Sequence, residues 1–423
     1  MSSELLNWAG NVTFRARRVH RPSTLEDLRA TVAGSSRIRA LGTRHSFSDV
    51  ADTTADLVSL ENMPPAITID PVASTVTVAG QVRYAELAAE LDAAGFALAN
   101  LASLPHISVA GACATGTHGS GVRNTTLPGS VRRLDLVMAD GDVRTIGRGD
   151  PGFPGVPVSL GALGVVTAVT LDVEPAYEVA QTVHLDLPVA AALDNFRELV
   201  SCAYSVCLFT DWAEQVFTQV WVIARTDEPE PKIVREPWFT AQPATRDVHP
   251  VITNSAAACT TQRGIPGRWH TRLSHFRPEC TPSSGEELQS EYAVPAAHAV
   301  PALRAIAGIA EAVHPVLQIC EVRTVAADDL WLSPAYGTDT VTIHFTWIPD
   351  ERPVREAIRL VEECLAPFAA RPHWAKLTEM SPDRVRSLYP RFDDFRSLVR
   401  EYDPVGRFAN PFTDRYLHDG SPA

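Results

Sequence analysis

Two short runs in the second half of the chain place charged and hydroxyl side chains at strand spacing. Glu321 and Arg323 are two residues apart within an apolar run, so on a strand both side chains face the same side. His344 and Thr346 have the same spacing in a second run. Two neighbouring strands of this kind form the floor of a pocket for a neutral, hydroxyl-rich ligand, because such a ligand is bound by several directional hydrogen bonds. A solvent-facing ion pair is the alternative interpretation, which the pattern alone leaves open.

Two segments in the first half are rich in glycine and small hydroxyl residues. The first is Leu41-Gly-Thr-Arg-His-Ser-Phe47, where glycine lets the backbone approach a phosphate and turn amides bind an anion. The second, residues 102–121, holds four glycines, three serines and two threonines without an amphipathic period. We interpret it as backbone along which a ligand lies, and as neither a helix face nor a core strand. An ordinary turn and a flexible loop are the respective alternatives. The chain has neither a Rossmann fingerprint nor a P-loop.

The composition limits the possible partners. The chain has 423 residues, and its net charge of −13 argues against nucleic acid or an anionic membrane as the main partner. Its seven cysteines are an odd number and form no Cys-x-x-Cys pair, which is typical of reduced thiols in the cytoplasm. No apolar run has the length of a signal peptide or a membrane span. We therefore expect a soluble cytoplasmic protein without nucleic-acid, membrane or metal partners.

Hydrophobic periodicity predicts an α+β protein of two domains with a boundary near Pro175. The predicted strands cover 12–19, 37–41, 75–78, 164–173, 204–210, 215–225, 316–326 and 338–347, with a hairpin over 134–146. Helices are predicted after Ser23 and over 84–94, 297–313 and 353–369. Residues 227–282 are predicted to be irregular, and Ser381-Pro382-Asp383 to open a tail of two short helices. The order in the second domain predicts an antiparallel sheet backed by helices.

The glycine-rich segments resemble the flavin-binding half of the vanillyl-alcohol-oxidase-type flavoprotein family. The similar motifs are residues 41–47, 103–111, 115–121, 161–166 and 403–410. Within that family the bacterial alditol oxidase (xylitol oxidase) branch is the most similar. The resemblance implies an FAD-binding (PCMH-type) domain of two α/β subdomains over residues 1–175. It also implies a substrate (cap) domain over 176–380 and a C-terminal segment, 381–423, that returns to the FAD domain.

The resemblance implies FAD with a single covalent link through His45. Relatives with two links carry a cysteine near residues 103–108, whereas Cys113 lies five residues beyond Ser108. The other cofactor-binding residues that it implies are Ala40, Leu41, Gly42, Thr43, Arg44, Ser46, Ser103, Ser108, Gly111, Thr115, Gly116, Thr117, His118, Val166, Thr346 and His373.

The implied substrate-binding residues are Ser103, Glu321, Arg323, Thr346 and Lys376. The implied reaction is oxidation of the terminal primary hydroxyl of a polyol such as xylitol or sorbitol to the aldose, with O2 reduced to H2O2 by a monomeric enzyme. Lys376 would take the hydroxyl proton and Arg323 would stabilise the alkoxide, with His344 as a rival base or relay.

Two other functions remain open. A sugar-1,4-lactone (gulono- or galactono-lactone) oxidase or dehydrogenase is the nearest alternative, because such enzymes share the Glu and Arg pair. The runs 103–106 and 332–336 favour the alditol branch. A non-catalytic flavin-binding protein is a remote alternative.

Overall fold

The structure is a computed structural model that describes residues 4–280 and 287–417. Its first part contains the strands β1 (Arg18–His20), β2 (Ile38–Ala40), β3 (Asp56–Val58), β4 (Ile67–Asp70), β5 (Thr75–Ala79), β6 (Phe96–Ala97), β7 (Val131–Val137), β8 (Val143–Gly147), β9 (Val165–Asp172) and β10 (Glu174–Pro175). Three of them form a parallel sheet in the order β1-β3-β2. Five form an antiparallel sheet in the order β4-β5-β9-β7-β8, and β6 pairs with β10.

Three helices lie among these strands: α1 (Leu25–Gly34), α2 (Tyr84–Ala93) and α3 (Val109–Ala114). Thr24 caps α1, because its side chain accepts a hydrogen bond from the backbone N–H of Asp27. Helix α2 is followed by Gly95 at φ +80, a conformation that favours glycine at the end of a helix.

Most of the elements predicted for this part are confirmed, and two predictions are wrong. The hairpin at Asp140-Gly141 forms as expected, since β7 and β8 are antiparallel neighbours. The predicted strand over 12–19 is reduced to β1, because the residues before it bind side chains: the N–H of Arg15 donates to Asp52 Oδ1. Residues 109–114 form a helix that the sequence did not predict, and this helix buries Val109 and Cys113.

The second part forms one antiparallel sheet of nine strands. These are β11 (Glu178–Pro188), β12 (Ser205–Thr210), β13 (Val216–Arg225), β14 (Gln242–Pro243), β15 (Gly267–Arg268), β16 (Leu288–Pro295), β17 (Leu317–Val325), β18 (Thr340–Trp347) and β19 (Arg371–Pro372). Their order is β14-β11-β13-β12-β17-β18-β16-β19, and β15 also pairs with β11. The sequence predicted neither β11 nor β16. The irregular region is confirmed over 227–280 apart from β14, β15 and single helical turns, and its last residues, 281–282, lie outside the described ranges.

Helices α4 (Val189–Asp194), α5 (Phe196–Ser201), α6 (Ala299–Gly308), α7 (Ala310–Val313) and α8 (Glu351–Leu365) accompany this sheet. Side chains of α8 such as Val354 and Ile358 share one hydrophobic core with Ile343 and Phe345 of β18. The predicted antiparallel sheet backed by helices is therefore confirmed.

The helix expected over 297–313 is broken, because Ile309 has φ −108 and ψ 12, outside helical geometry. No single helix in the described ranges has the length and apolarity to cross a membrane, although 296–308 and 310–316 together meet both criteria across a 62° bend.

The C-terminal tail packs against the first part of the chain. It contains α9 (Pro382–Ser387), α10 (Phe392–Tyr402) and α11 (Pro411–Leu417), one helix more than expected, and residues 418–423 lie outside the described ranges. Ser381 caps α9 as predicted, by accepting a hydrogen bond from the N–H of Arg384. Phe408 joins a core cluster with Leu28 and Val32 of α1. Domain boundaries near residues 175 and 380 stay a prediction, which the distribution of strands supports.

A buried arginine ties this tail to the first part. Arg39 Nη1 donates to the carbonyls of Gly161 and Phe408, both at 2.8 Å. Its Nη2 donates to the carbonyls of Val50 at 2.6 Å and Leu160 at 2.5 Å. Burial lowers the pKa of Arg39 to about 10, so the side chain remains a cation at neutral pH.

We expect Arg39→Met to lower the free energy of unfolding by about 3 kcal/mol or more, because four buried carbonyls lose their donor. Thermal or urea unfolding measures this. The control is Arg37→Met, because Arg37 is half exposed and meets Asp414 at 3.4 Å; its effect should stay within about 0.5 kcal/mol. Equal losses in the two variants would contradict this role of Arg39.

Candidate active site

One cavity of about 1180 Å³ is lined by both glycine-rich segments and by the polar face of the large sheet. Gly116 is the one predicted site residue that does not line it; this glycine has φ +70, and a Cβ there would lie 2.9 Å from Pro334 Cδ. The predicted residues that line the cavity are Ala40, Leu41, Gly42, Thr43, Arg44, His45, Ser46, Ser103, Ser108, Gly111, Thr115, Thr117, His118, Val166, Glu321, Arg323, His344, Thr346, His373 and Lys376.

The two glycine-rich segments meet in a cradle of backbone at one end of this cavity. The N–H of Ser108 donates to Thr43 Oγ1 at 3.3 Å, which joins the segments. A Cβ at Gly80 would lie 2.4 Å from the carbonyl oxygen of Val166, and one at Gly111 would lie 2.8 Å from Ser108 Oγ. Because its neighbour is backbone, Gly80 has no room for a larger residue, and both glycines line the cavity without a side chain, which suits a cofactor that lies close to backbone amides.

His45 is held from outside by a segment that the sequence analysis did not single out. The N–H of Trp8 donates to the carbonyl of Arg44 at 2.8 Å, and Asn7 Nδ2 donates to that of Ser46 at 2.9 Å. The Trp8 ring stacks on the His45 ring, with centroids 5.8 Å apart and planes at 22°. Burial lowers the pKa of His45 to about 4, so its imidazole is neutral at pH 7. His45 Nδ1 is buried and forms no hydrogen bond within the described ranges.

Three polar residues stand in one row across the large sheet at the other end of the cavity. In the strand register, Glu321 of β17 is opposite His344 of β18, which is opposite Glu291 of β16. The sequence analysis missed Glu291 because it missed β16. Alternation along that strand was the available signal, since Leu288 and Tyr292 are in the core while Glu291 lines the cavity.

The Glu291 carboxylate is surrounded by basic groups. Its Oε2 accepts a hydrogen bond from Lys376 Nζ at 2.6 Å and lies 2.9 Å from His344 Nδ1. Its Oε1 is hydrogen-bonded to His118 Nε2, and Arg323 Nη2 lies 3.8 Å from Oε2. Burial acts to raise the pKa of Glu291, but Lys376 and His118 outweigh it and hold that pKa well below its ordinary value. Glu291 is therefore an anion at neutral pH.

Lys376 and His344 are the two proton-accepting groups beside this carboxylate. Their nitrogens, Nζ and Nδ1, are 2.6 Å apart, and His344 Nε2 lies 3.1 Å from Thr346 Oγ1. Burial lowers the pKa of Lys376, against the opposing effect of Glu291. Burial and the charge of Lys376 lower the pKa of His344 to about 4, and burial lowers that of His373 to about 3. Both imidazoles are therefore neutral, and Lys376 loses its proton more readily than an ordinary lysine.

Glu321 and Arg323 face the cavity side by side, as their spacing predicted. Arg323 Nε lies 3.4 Å from Glu321 Oε1, and Arg323 Nη1 donates to Ser103 Oγ at 3.2 Å. Arg323 outweighs the effect of burial and lowers the pKa of Glu321, which is thus a carboxylate. Glu321 Oε1 and Arg323 Nε form no hydrogen bond within the described ranges, so both retain capacity for a ligand hydroxyl.

His275 also reaches this end of the cavity, from the irregular region. Its Nδ1 lies 3.6 Å from Glu321 Oε1, and burial lowers its pKa to about 4. No sequence pattern marked His275, because the irregular region has no period that would assign a face to it.

Comparison with known proteins now identifies the family. Residues 16–147 match the family described as an FAD binding domain, and residues 271–416 match that described as D-arabinono-1,4-lactone oxidase. The chain is 52% identical over 423 residues to an alditol oxidase of Streptomyces sp., covering 99% of this chain and 100% of that protein. The chain belongs to the alditol oxidase branch of the vanillyl-alcohol-oxidase-type FAD flavoproteins.

Proteins of lower sequence identity also match along nearly the whole chain. L-gulono-1,4-lactone dehydrogenase of Mycobacterium tuberculosis is 29% identical over 99% of this chain and 100% of its own. The crystal structure of cholesterol oxidase from B. sterolicum has a TM-score of 0.78 at 15% identity, covering 98% of this chain and 96% of that chain. The predicted architecture of an FAD-binding domain joined to a second domain is thereby confirmed.

Proposed function

We propose that this protein is an FAD-dependent oxidase that converts the terminal primary alcohol of an alditol to the aldose. The observation that carries the proposal is the buried row of Glu321, His344 and Glu291, with Arg323 and Lys376 beside it, in the cavity that also contains His45. Several directional donors and acceptors suit a neutral polyol. The 52% identity to an alditol oxidase over the full length supports the same assignment.

The glycine-rich cradle would hold FAD, with one covalent link through His45. A neutral imidazole nitrogen is a suitable nucleophile for that link, and His45 Nδ1 is neutral and without a hydrogen bond in the described ranges. Cys113 is unsuited to a second link, since it is fully buried and its thiol pKa is raised to about 12. The chemistry that bound FAD would supply is acceptance of the hydride, with the two electrons then going to O2 to give H2O2.

The side chains at the other end of the cavity would bind the polyol and move its proton. Ser103, Glu321 and Thr346 exchange hydrogen bonds with the substrate hydroxyls. Lys376 takes the proton of the reacting hydroxyl, because its lowered pKa leaves more of the neutral amine, whereas His344 with a pKa of about 4 is the weaker base. Arg323 stabilises the developing alkoxide.

Oxidation or dehydrogenation of a sugar-1,4-lactone is the second candidate. It is favoured by the match of residues 271–416 to the D-arabinono-1,4-lactone oxidase family and by the lactone dehydrogenase that is 29% identical.

The seven free cysteines support a reducing compartment such as the cytoplasm, and we propose that the enzyme acts there as a monomer.

Oxygen uptake with peroxide detection tests the proposed function. We expect uptake with xylitol and sorbitol, with peroxide formed in equal amount, and little uptake with gulono- or galactono-lactone. Activity confined to the lactones would contradict the alditol assignment and support the second candidate, a sugar-1,4-lactone oxidase. No uptake with any of the four would refute both oxidase assignments.

Lys376→Met should lower kcat/KM for xylitol at least about 100-fold with flavin content unchanged, because the proton acceptor is lost. Lys232→Met is the matched control, since Lys232 is the only other lysine and does not line the cavity. In the wild type, activity should rise with pH through a pKa below the ordinary lysine value of 10.5, as neutral amine forms. Full turnover by Lys376→Met would remove Lys376 from the mechanism.

His45→Ala should release all its flavin on acid precipitation, while the wild-type pellet stays yellow and fluorescent. His106→Ala is the control, because His106 does not line the cavity, is hydrogen-bonded to the carbonyl of Pro278 instead, and should leave the link intact. Flavin retained by the denatured His45→Ala protein would disprove the proposed link.

A further inference from the structure

The Glu291 carboxylate takes no direct part in the proposed reaction, although it contacts both proton-accepting groups, Lys376 and His344. It has 2% exposed surface, and its partners come from three other segments of the chain: His118, His344 and Lys376. A buried carboxylate without such partners would be strongly unfavourable, because no opposite charge or donor would replace its lost hydration. These contacts therefore constrain the positions of all three basic side chains.

The hydrogen bonds of His118 show that it partly neutralises the charge of Glu291. His118 Nδ1 lies 2.8 Å from the carbonyl of Gly119, which can only accept, so Nδ1 carries a hydrogen. His118 Nε2 faces Glu291 Oε1, a second acceptor. The hydrogen bond and the charge of His118 both help to hold the pKa of Glu291 low, so Oε1 is a carboxylate oxygen that accepts from Nε2. His118 thus offsets part of the negative charge that Lys376 experiences.

Charged and titratable groups face Lys376 from three strands of the large sheet and from its own turn. Glu291 approaches from β16, His344 from β18, and Glu321 and Arg323 from β17. His373 lies in the same turn as Lys376, and the N–H of His373 donates to the carbonyl of Glu291 at 2.9 Å. Glu291 is the anion that directly contacts Lys376 Nζ, at 2.6 Å.

We propose that Glu291 is a positioning residue that orients Lys376 and His344 toward the substrate and controls the protonation state of Lys376, with His118 as its counter-charge. Its part in catalysis rests on the proposed function, whereas its effect on Lys376 does not. An anion in contact favours the ammonium form of a lysine. Removal of the anion therefore lowers the pH at which Lys376 deprotonates, and removal of His118 raises it.

The presence of only two lysines allows a direct test without turnover. In holoenzyme labelled with [ε-13C]lysine, NMR titration should give two signals, and Lys232→Met assigns the one from Lys376. Glu291→Gln should lower the Lys376 titration midpoint by about one pH unit or more, while Glu291→Asp should leave it nearly unchanged. His118→Gln should raise it. Glu362→Gln is the control, because Glu362 is another buried carboxylate and binds Tyr292 and Thr378 instead.

The same variants connect the effect to catalysis. The acidic limb of the pH profile for anaerobic flavin reduction by xylitol should shift in the same direction as the midpoint. An unchanged midpoint in both Glu291→Gln and His118→Gln would overturn the proposal. If Glu291→Gln does not fold, the other two variants serve instead. The Lys376 titration midpoint should rise in His118→Gln and stay nearly unchanged in Glu291→Asp, and a midpoint that does not rise in His118→Gln would overturn the proposal. If the Lys376 midpoint shifts as expected but no alditol reduces the flavin, the proposed function is refuted while the effect of Glu291 on Lys376 stands.

Discussion

A buried carboxylate needs compensating charge, and at Glu291 that requirement brings both halves of the molecule together. Its Oε1 is bound by His118, in the second glycine-rich segment, and its Oε2 by Lys376, in the turn after β19. Arg323 of β17 and His344 of β18 also lie within 4 Å of its Oε2. Because each partner comes from a different segment, the cavity reaches its working geometry only when the first part of the chain and the large sheet are docked.

The large sheet can carry this polar row because its two faces are divided between core and cavity. Along β17, Cys320 and Val322 belong to the hydrophobic core, while Ile319, Glu321 and Arg323 line the cavity. Helix α8 covers the core face with residues such as Val354. Strand register then places Glu321, His344 and Glu291 directly opposite one another. Alternation along single strands, combined over three neighbours, places this polar row on the cavity face of the sheet.

Sequence patterns therefore predicted what lies within one strand or one motif and missed what depends on contacts between them. The spacing of Glu321 and Arg323 was sufficient to place both on one face, and the residues of the motif around His45 line the same cavity. Glu291 was missed because β16 was not predicted, and His275 was missed because the irregular region has no period that would assign a face to it. The predicted helix over 297–313 failed at Ile309 for a related reason: apolar periodicity continues through a break that backbone geometry imposes.

Anaerobic mixing with xylitol and with its C1-deuterated form, followed by flavin absorbance, tests whether the protein oxidises an alditol at its terminal carbon. We expect rapid bleaching, slowed several-fold by deuterium, because the hydride would leave the terminal carbon held beside Lys376 and Arg323. Flavin that stays oxidised with alditols but bleaches with an aldonolactone would contradict it.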